Sequence, residues 1–266
     1  MPILIEAAAR VNMGTQRDNN EDNIYFNGAY LSEETRERPV AWEAAYSNWP
    51  QLYAVCDGMG GEQLGELASL LAVQTLHQTA LKLWNMRTSE LEPVLDSCVT
   101  EANLRVYYEQ KNRNVRNIGT TLAMLAVSEN QAHVYNVGDS RVYLLRDGKL
   151  IQLSEDHTTV MRSVKMGLMT PDAARTHPHR NRLTQFIGIN PDEMIIEPHK
   201  DTFLLNNRDI FLMCSDGLTD VVNDAEIAGI LRSAYRSDEA TQNLVNIALA
   251  HHTPDNVAVI VLRIQI

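Results

Sequence analysis

TLAMLAVSENQAHVYNVGDSRVYLLRDGKLIQL, residues 121–153, is the stretch on which the fold class turns. Apolar residues recur in it every second position, the period of a strand and not of a helix. TLAMLAV (121–127), AHVYNVG (132–138) and RVYLLRDG (141–148) read as consecutive antiparallel strands. The last closes on Asp147-Gly148, a pair that tolerates the positive φ of a tight hairpin turn, and KLIQL (149–153) returns as the next strand.

The segments on either side are helical. Residues 65–85 carry Leu67, Leu70, Leu71, Val73, Leu76, Ala80, Leu81 and Leu83 in one broad apolar stripe, and 91–110 repeat the pattern from Leu91 to Val106. Downstream, 157–176 reads as polar and helical, broken by Gly167 and Pro171. IFLMCS (210–215) and NVAVIVLRI (256–264) read as buried strands, with helices at 224–235 and 238–250 between them. Near the N-terminus, 3–14 and 22–27 read as short strands. Residues 28–50 have no clear period and are taken as a long loop or insertion, and QLYAVC (51–56) is a buried strand that stops at Asp57 and a glycine cluster. Helices segregate from strands, so the expected class is α+β, in layers and without βαβ alternation. No Pro/Gly/Ser-rich linker divides the 266 residues, which suggests one domain spanning 1–266.

Composition excludes several functions. A formal net charge of −11 argues against nucleic acid and against an anionic membrane surface, because affinity for either comes mainly from Lys and Arg. It leaves a phosphorylated substrate open, since bound cations invert the local field. Three cysteines without CxxC spacing point to reduced thiols. None begins a Cys-x5-Arg phosphate loop, for Glu62, Leu104 and Asp220 stand where the arginine is required. The N-terminus has no basic-then-apolar signal arrangement, and no apolar run approaches the ~20 residues of a bilayer span, so a cytoplasmic location is expected.

Chemistry is signalled by where the acids fall. Asp22 opens a strand, Asp57 ends QLYAVC before Gly58, and Asp216 ends IFLMCS before Gly217. Asp255 precedes the last strand, and Asp156 follows the strand ending at Leu153. A carboxylate against a buried apolar run is costly unless paired or bound to a cation. One such aspartate is ordinarily a turn cap; five favour a site for hard cations such as magnesium or manganese. Two such ions ~4 Å apart are the usual clamp for phosphate-ester hydrolysis. DNNEDN (18–23) begins like a calcium loop but has Asn23 at the glycine position and Ala29 at the glutamate position. The glycines at 58, 60, 61 and 65 do not satisfy GxGxxG.

With these residues placed, the chain resembles the type 2C (PPM) family of metal-dependent serine/threonine protein phosphatases, in particular its bacterial branch. The resemblance runs in order through GTQRDNNEDN (14–23), LYAVCDGMGGEQLGELAS (52–69), IGTTLAML (118–125), VYNVGDSRVYLLRDGKL (134–150), LSEDHT (153–158), AARTHPHRNRLTQFIG (173–188), LMCSDGLTD (212–220) and PDNVAVIVLR (254–263). It implies an α-β-β-α sandwich of two antiparallel sheets flanked by helix pairs. Two core Mn2+ or Mg2+ ions would be held by Asp22, Asp57, the Gly58 carbonyl, Asp216 and Asp255, with Glu21 reaching them through water. A third ion would be held by Asp156 with Asp216, and Asp220 is an additional ligand candidate. Arg17 would bind the substrate phosphate. The implied reaction is direct attack on phosphoserine or phosphothreonine esters by a water bridging the two core ions. Phosphorylated proteins would be the substrates, a bacterial serine/threonine kinase the counterpart, and the enzyme a monomer.

Met59 stands where many members carry a histidine assigned as general acid, and 159–182 aligns with a flap beside the site, with Arg180 or Arg182 near the phosphopeptide. Asp139 reads as a hydrogen-bonder beneath the site, and Gly119, Thr120 and Thr121 as braces of the sheet. His157 reads either as a partner of Asp156 or as a cap. Trp42 and Trp49 are taken as loop packing. Two rival functions remain: a metal-binding pseudophosphatase that binds phosphopeptides, and a phosphatase for small phosphorylated metabolites.

Overall fold

The computed structural model describes residues 3–35, 40–46, 50–60, 64–83, 86–115 and 118–266. One sheet is built from β1 (Leu4–Asn12), β4 (Val40–Tyr46), β9 (Arg141–Arg146), β10 (Lys149–Gln152), β12 (Ile210–Cys214) and β13 (Val257–Gln265), in the order β10-β9-β12-β13-β1-β4. The second contains β2 (Asp22–Phe26), β3 (Ala29–Tyr30), β5 (Gln51–Met59), β7 (Leu122–Ser128), β8 (Gln131–Val137) and β11 (His199–Leu204), in the order β11-β8-β7-β5-β2-β3. The short β6 (Gly119–Thr120) pairs with the end of β5, and every ladder is antiparallel.

Alternation along single strands builds the layers. On β5, Tyr53 and Val55 face the other sheet, with Ala7, Val11, Leu125 and Ile260. Leu52, Ala54 and Cys56 face the opposite way, onto α1 (Gly65–Leu83) and α2 (Leu91–Arg113) through Leu76, Leu95 and Val99. The outer face of the first sheet packs likewise on α6 (Asp224–Ser233) and α7 (Ser237–Ala250), where Tyr143, Leu212 and Val261 meet Ile227, Leu231 and Leu244. Both faces of the central strands are thus covered, which is why QLYAVC and VAVIVL read as continuous apolar runs. The expected α-β-β-α sandwich is the observed architecture.

Two expectations are corrected, and one strand is added. Residues 40–46, taken as loop, form β4, which pairs with β1 from Ile5↔Tyr46 to Val11↔Val40. The half-buried Trp42 packs on the inter-sheet core with its ring 6.1 Å from that of Phe26, while Trp49 lies outside the described residues. The strands ending at 138 and starting at 141 do not pair: β8 lies between β7 and β11, and β9 lies between β10 and β12. A period of two assigns faces and not partners, and the turn at Gly138 (φ 99°) carries the chain from one sheet to the other. Finally β11, whose residues are mostly exposed, carried no readable period. The Asp147-Gly148 turn does take positive φ at both positions, 51° and 76°, and closes β9 on β10.

Between β10 and β11 the chain makes an excursion over 158–183. It holds α3 (Thr159–Lys165), a turn at Gly167, and α4 (Pro171–Arg175), and it is closed at its base by a bridge between Thr158 and Leu183. No helix among the described residues is long and apolar enough to cross a membrane.

Candidate metal centre

The acids singled out above meet at one end of the sandwich, where the two sheets come together. Asp22 and Asp57 are register partners across β2 and β5. Ser215, at the end of β12 in the other sheet, donates from Oγ to Asp22 Oδ2 at 2.7 Å and receives the Ala258 N–H at 2.9 Å. One buried hydroxyl therefore ties the sheets together directly beneath the site. Asp216 follows as the first residue of α5 (Asp216–Thr219), and its charge is close enough to Asp57 to raise the proton affinity of that carboxyl. Asp255, ahead of β13, accepts the Asn256 N–H at 2.8 Å and the Arg17 guanidinium at 2.6 Å. The Asn256 side chain knots the approach loop by accepting from Glu21 N–H at 2.7 Å and donating to Met13 and Asn19 carbonyls at 2.9 and 3.0 Å.

Backbone geometry brings the Gly58 peptide into this cluster. A Cβ on Gly58 would lie 2.1 Å from the Gly65 carbonyl oxygen and 2.6 Å from that of Glu21. The Gly58 N–H donates to Glu21 O at 3.1 Å. Asp57 is held from behind: its N–H donates to Thr121 Oγ1 at 2.9 Å, and its carbonyl receives the Thr121 N–H and the Thr120 hydroxyl, each at 2.9 Å. The bracing expected of Thr120 and Thr121 is therefore directed at Asp57 itself.

Crowding shows in the protonation energetics. Burial, followed by the charge of neighbouring carboxylates, holds Asp22, Asp57 and Asp139 well above the ordinary carboxylate range and pushes Asp216 up to about 6. Buried carboxylates gathered in this way are favourable only with positive charge among them, a shared proton or a cation. That is the physical sense in which these residues fit metal ions. Among the described residues, no three His, Cys, Asp or Glu side chains close on one point as a finished cage. All-oxygen sites in which each ion takes one or two carboxylates and keeps several waters are the manner of magnesium-type cations. The three cysteines are buried and free, and burial pushes their thiols up, Cys98 to about 11, which agrees with the exclusion of thiolate chemistry.

Asp139, read from the sequence as a hydrogen-bonder beneath the site, belongs to this cluster. It is electrostatically linked to Asp57, Asp216 and Asp156, and with Asp216 it lines a cavity of about 370 Å3 beside the centre. Asp156 sits differently from its expected role. Arg141 grips it with Nε at 3.0 Å from Oδ1 and Nη2 at 2.6 Å from Oδ2, and Gln152 donates to Oδ1 at 2.7 Å. A buried, bidentate pair of this kind leaves Asp156 serving chiefly as the counter-ion of Arg141. Asp220 accepts from Arg180 and Asn181, both at 3.0 Å, so it fastens the excursion to α5. His157 neither orients Asp156 nor caps: its Nδ1 accepts the Gly138 N–H at 3.3 Å. Arg182 contributes its carbonyl to Thr159 N–H at 2.9 Å.

Comparison with known proteins agrees with this geometry. A family model described as protein phosphatase 2C matches residues 41–251. The chain is 30% identical over 263 residues to the serine/threonine phosphatase stp of Listeria innocua, covering 97% of this chain and 96% of that one. It superposes on the Mycobacterium tuberculosis serine/threonine phosphatase PstP/Ppp with a TM-score of 0.83 at 31% identity, over 99% of this chain and 100% of that one. A second structure, the PstP catalytic domain in complex with two manganese ions, superposes at 0.80 with 29% identity, over 99% and 100% of the two chains. Sheet order, the cluster of carboxylates at the junction of the sheets and these likenesses lead to one conclusion: this chain belongs to the protein phosphatase 2C family, enzymes of the serine/threonine phosphatase class.

Proposed function

We propose that the protein is a metal-dependent phosphoprotein phosphatase that hydrolyses phosphoserine and phosphothreonine esters. The observation that carries this reading is the gathering of Asp22, Asp57, Asp139, Asp216 and Asp255 at the meeting point of the two sheets, with Asp22 and Asp57 register partners and the group electrostatically linked. Manganese or magnesium bound there supplies Lewis acidity and an activated water for attack on phosphorus. Asp22, Asp57, the Gly58 carbonyl, Asp216 and Asp255 would hold two ions, with Glu21 acting through water. For a third, Asp139 beside Asp216 is better disposed than Asp156, because Arg141 already occupies Asp156.

Arg17 and Asp255 work as a pair. The Arg17 guanidinium donates to Asp255 at 2.6 Å. With Asp255 holding a cation, Arg17 would be free to offer its planar fork to two phosphate oxygens. Charge that develops on the equatorial oxygens is then met by a group already at the mouth of the site. Met59 has no proton to give, so the leaving oxygen is protonated from solvent.

The names of the relatives support proteins phosphorylated on serine or threonine as substrates, and a serine/threonine kinase as the enzyme that supplies them. Because Ser215 of one sheet anchors Asp22 of the other, the centre needs both layers, which supports one catalytic domain over 1–266 with 159–182 as its flap.

The test is release of phosphate from a phosphothreonine peptide with Mn2+, with Mg2+ and with chelator, beside Asp216→Ala. Metal-dependent release is expected, abolished by chelator and reduced at least ~100-fold in the variant. No release from folded, metal-loaded protein would replace this reading with a phosphopeptide-binding module.

A further inference from the structure

The excursion over 158–183 is hydrogen-bonded at both ends to the loops that carry the carboxylates. At its N-terminal end His157 donates its N–H to the Gly138 carbonyl at 2.8 Å, and its ring receives the Gly138 N–H, one residue before Asp139. The chain returning from the excursion closes on the same residue, with Thr184 N–H donating to His157 O at 2.7 Å. Three residues further on, Ile187 exchanges a pair of backbone hydrogen bonds with Thr120, at 3.0 and 2.8 Å. The fully buried Thr120 hydroxyl lies 2.9 Å from the Asp57 carbonyl and 3.1 Å from that of Thr121.

The segment after Ile187 is fixed from the far side. Asn103 Oδ1 on α2 receives the Gly188 and Ile189 N–H groups at 2.7 and 2.9 Å, and Gln110 Nε2 donates to Gly188 O at 2.6 Å. These side chains are buried, so the end of the excursion is a stiff strap and not a free loop. Besides the side-chain contacts of Arg180 and Asn181 with Asp220, the excursion is thereby joined through backbone and ring hydrogen bonds to the peptide before Asp139 and to the peptide of Asp57.

We propose that Thr120 and His157 are positioning residues that couple the excursion to the metal centre, so that ordering of the carboxylates around cations also orders 159–182. This rests on the metal reading above. The coupling is reciprocal: whatever orders the excursion tightens the centre by the same factor.

Hydrogen exchange of 159–182 with and without Mn2+ tests it, alongside calorimetric Mn2+ titration and the separate kcat and KM for a phosphopeptide. In the wild type, Mn2+ should slow exchange of the segment about fivefold or more, a coupling of ordinary size. Thr120→Val keeps the backbone pair with Ile187 but loses the hydroxyl. It should lose most of that protection and lower kcat with little change in KM. Thr120→Ser, which restores the hydroxyl, should recover both. A second route uses His157→Leu against His157→Asn, whose side-chain oxygen can again accept from Gly138. Equal Mn2+ protection in wild type, Thr120→Val and His157→Leu overturns the coupling. So does a wild type that binds Mn2+ without any slowing. A wild type that binds no Mn2+ in the calorimeter overturns the metal reading itself, and this inference with it.

Discussion

Gly65 shows how little room a single residue leaves at the centre. A methyl group there would lie 2.7 Å from Glu21 Cδ and 2.9 Å from the Gly58 carbonyl carbon. The Gly58 backbone cannot swing aside as a side-chain tip would, so Gly65→Ala must displace either Glu21 or the Gly58 peptide. Overpacking of this kind costs about 1–3 kcal/mol, and the expected result is Mn2+ affinity weakened roughly tenfold with an unchanged circular dichroism spectrum. Unaltered affinity in calorimetry would mean that α1 shifts to make the space. Asp22, Asp57, Asp216 and Asp255 could be singled out from the sequence because each stands at the edge of an apolar run, and the fold brings them to one end of the sandwich. Asp139 was not read as a ligand, since a turn aspartate between two strands is also what hairpin chemistry asks for. The pairing of Asp156 with Arg141 was not legible either: the arginine lies fifteen residues back, on the far side of a hairpin, where no local pattern announces it.

Among the elements, those with a strong period and firm ends were readable. Helix α6 illustrates the second condition: Asn223 accepts from the Ala225 and Glu226 N–H groups, and Glu226 returns a bond to the Asn223 N–H. Asn223→Ala should remove this box and destabilise the protein by about 1 kcal/mol, a fall in melting temperature of roughly 2–4 °C. A scan showing no change would assign the helix end to its packing alone. Strand β4 was missed because AWEAAY is poor in β-branched residues, and its alternation is carried by Val40, Trp42 and Ala44 alone. Strand β11 was missed because it is an edge, with Lys200, Asp201 and Thr202 facing water. The mistaken pairing of β8 with β9 has another origin. The sheet to which a strand belongs depends on the turn between strands, and Gly138 takes a conformation that its neighbours do not reveal.

For the molecule as a whole, the concentration of acid at one end governs stability. Asp22, Asp57, Asp139 and Asp216 have folded-state affinities for protons raised by burial and mutual repulsion, Asp216 to about 6. The folded chain therefore holds protons that the unfolded chain has released. That contribution is complete below the ordinary carboxylate range and is lost as pH rises through about 6. Metal-free protein should accordingly melt a few degrees higher at pH 5.5 than at pH 7.5, and Mn2+ at the higher pH should restore the difference. A melting temperature that falls on acidification would show that other groups dominate. The order of the first sheet has one more implication. Strand β13, the last among the described residues, lies between β12 and β1, the first of them. The Ala258 peptide that fixes Ser215, and Asp255 itself, both come with that final segment. On a ribosome the early strands and helices emerge with the middle of their sheet missing. A chain that stops short of that segment would lack Asp255 and the Ala258 peptide, so the carboxylate cluster assembles only once β13 has left the exit tunnel and inserted.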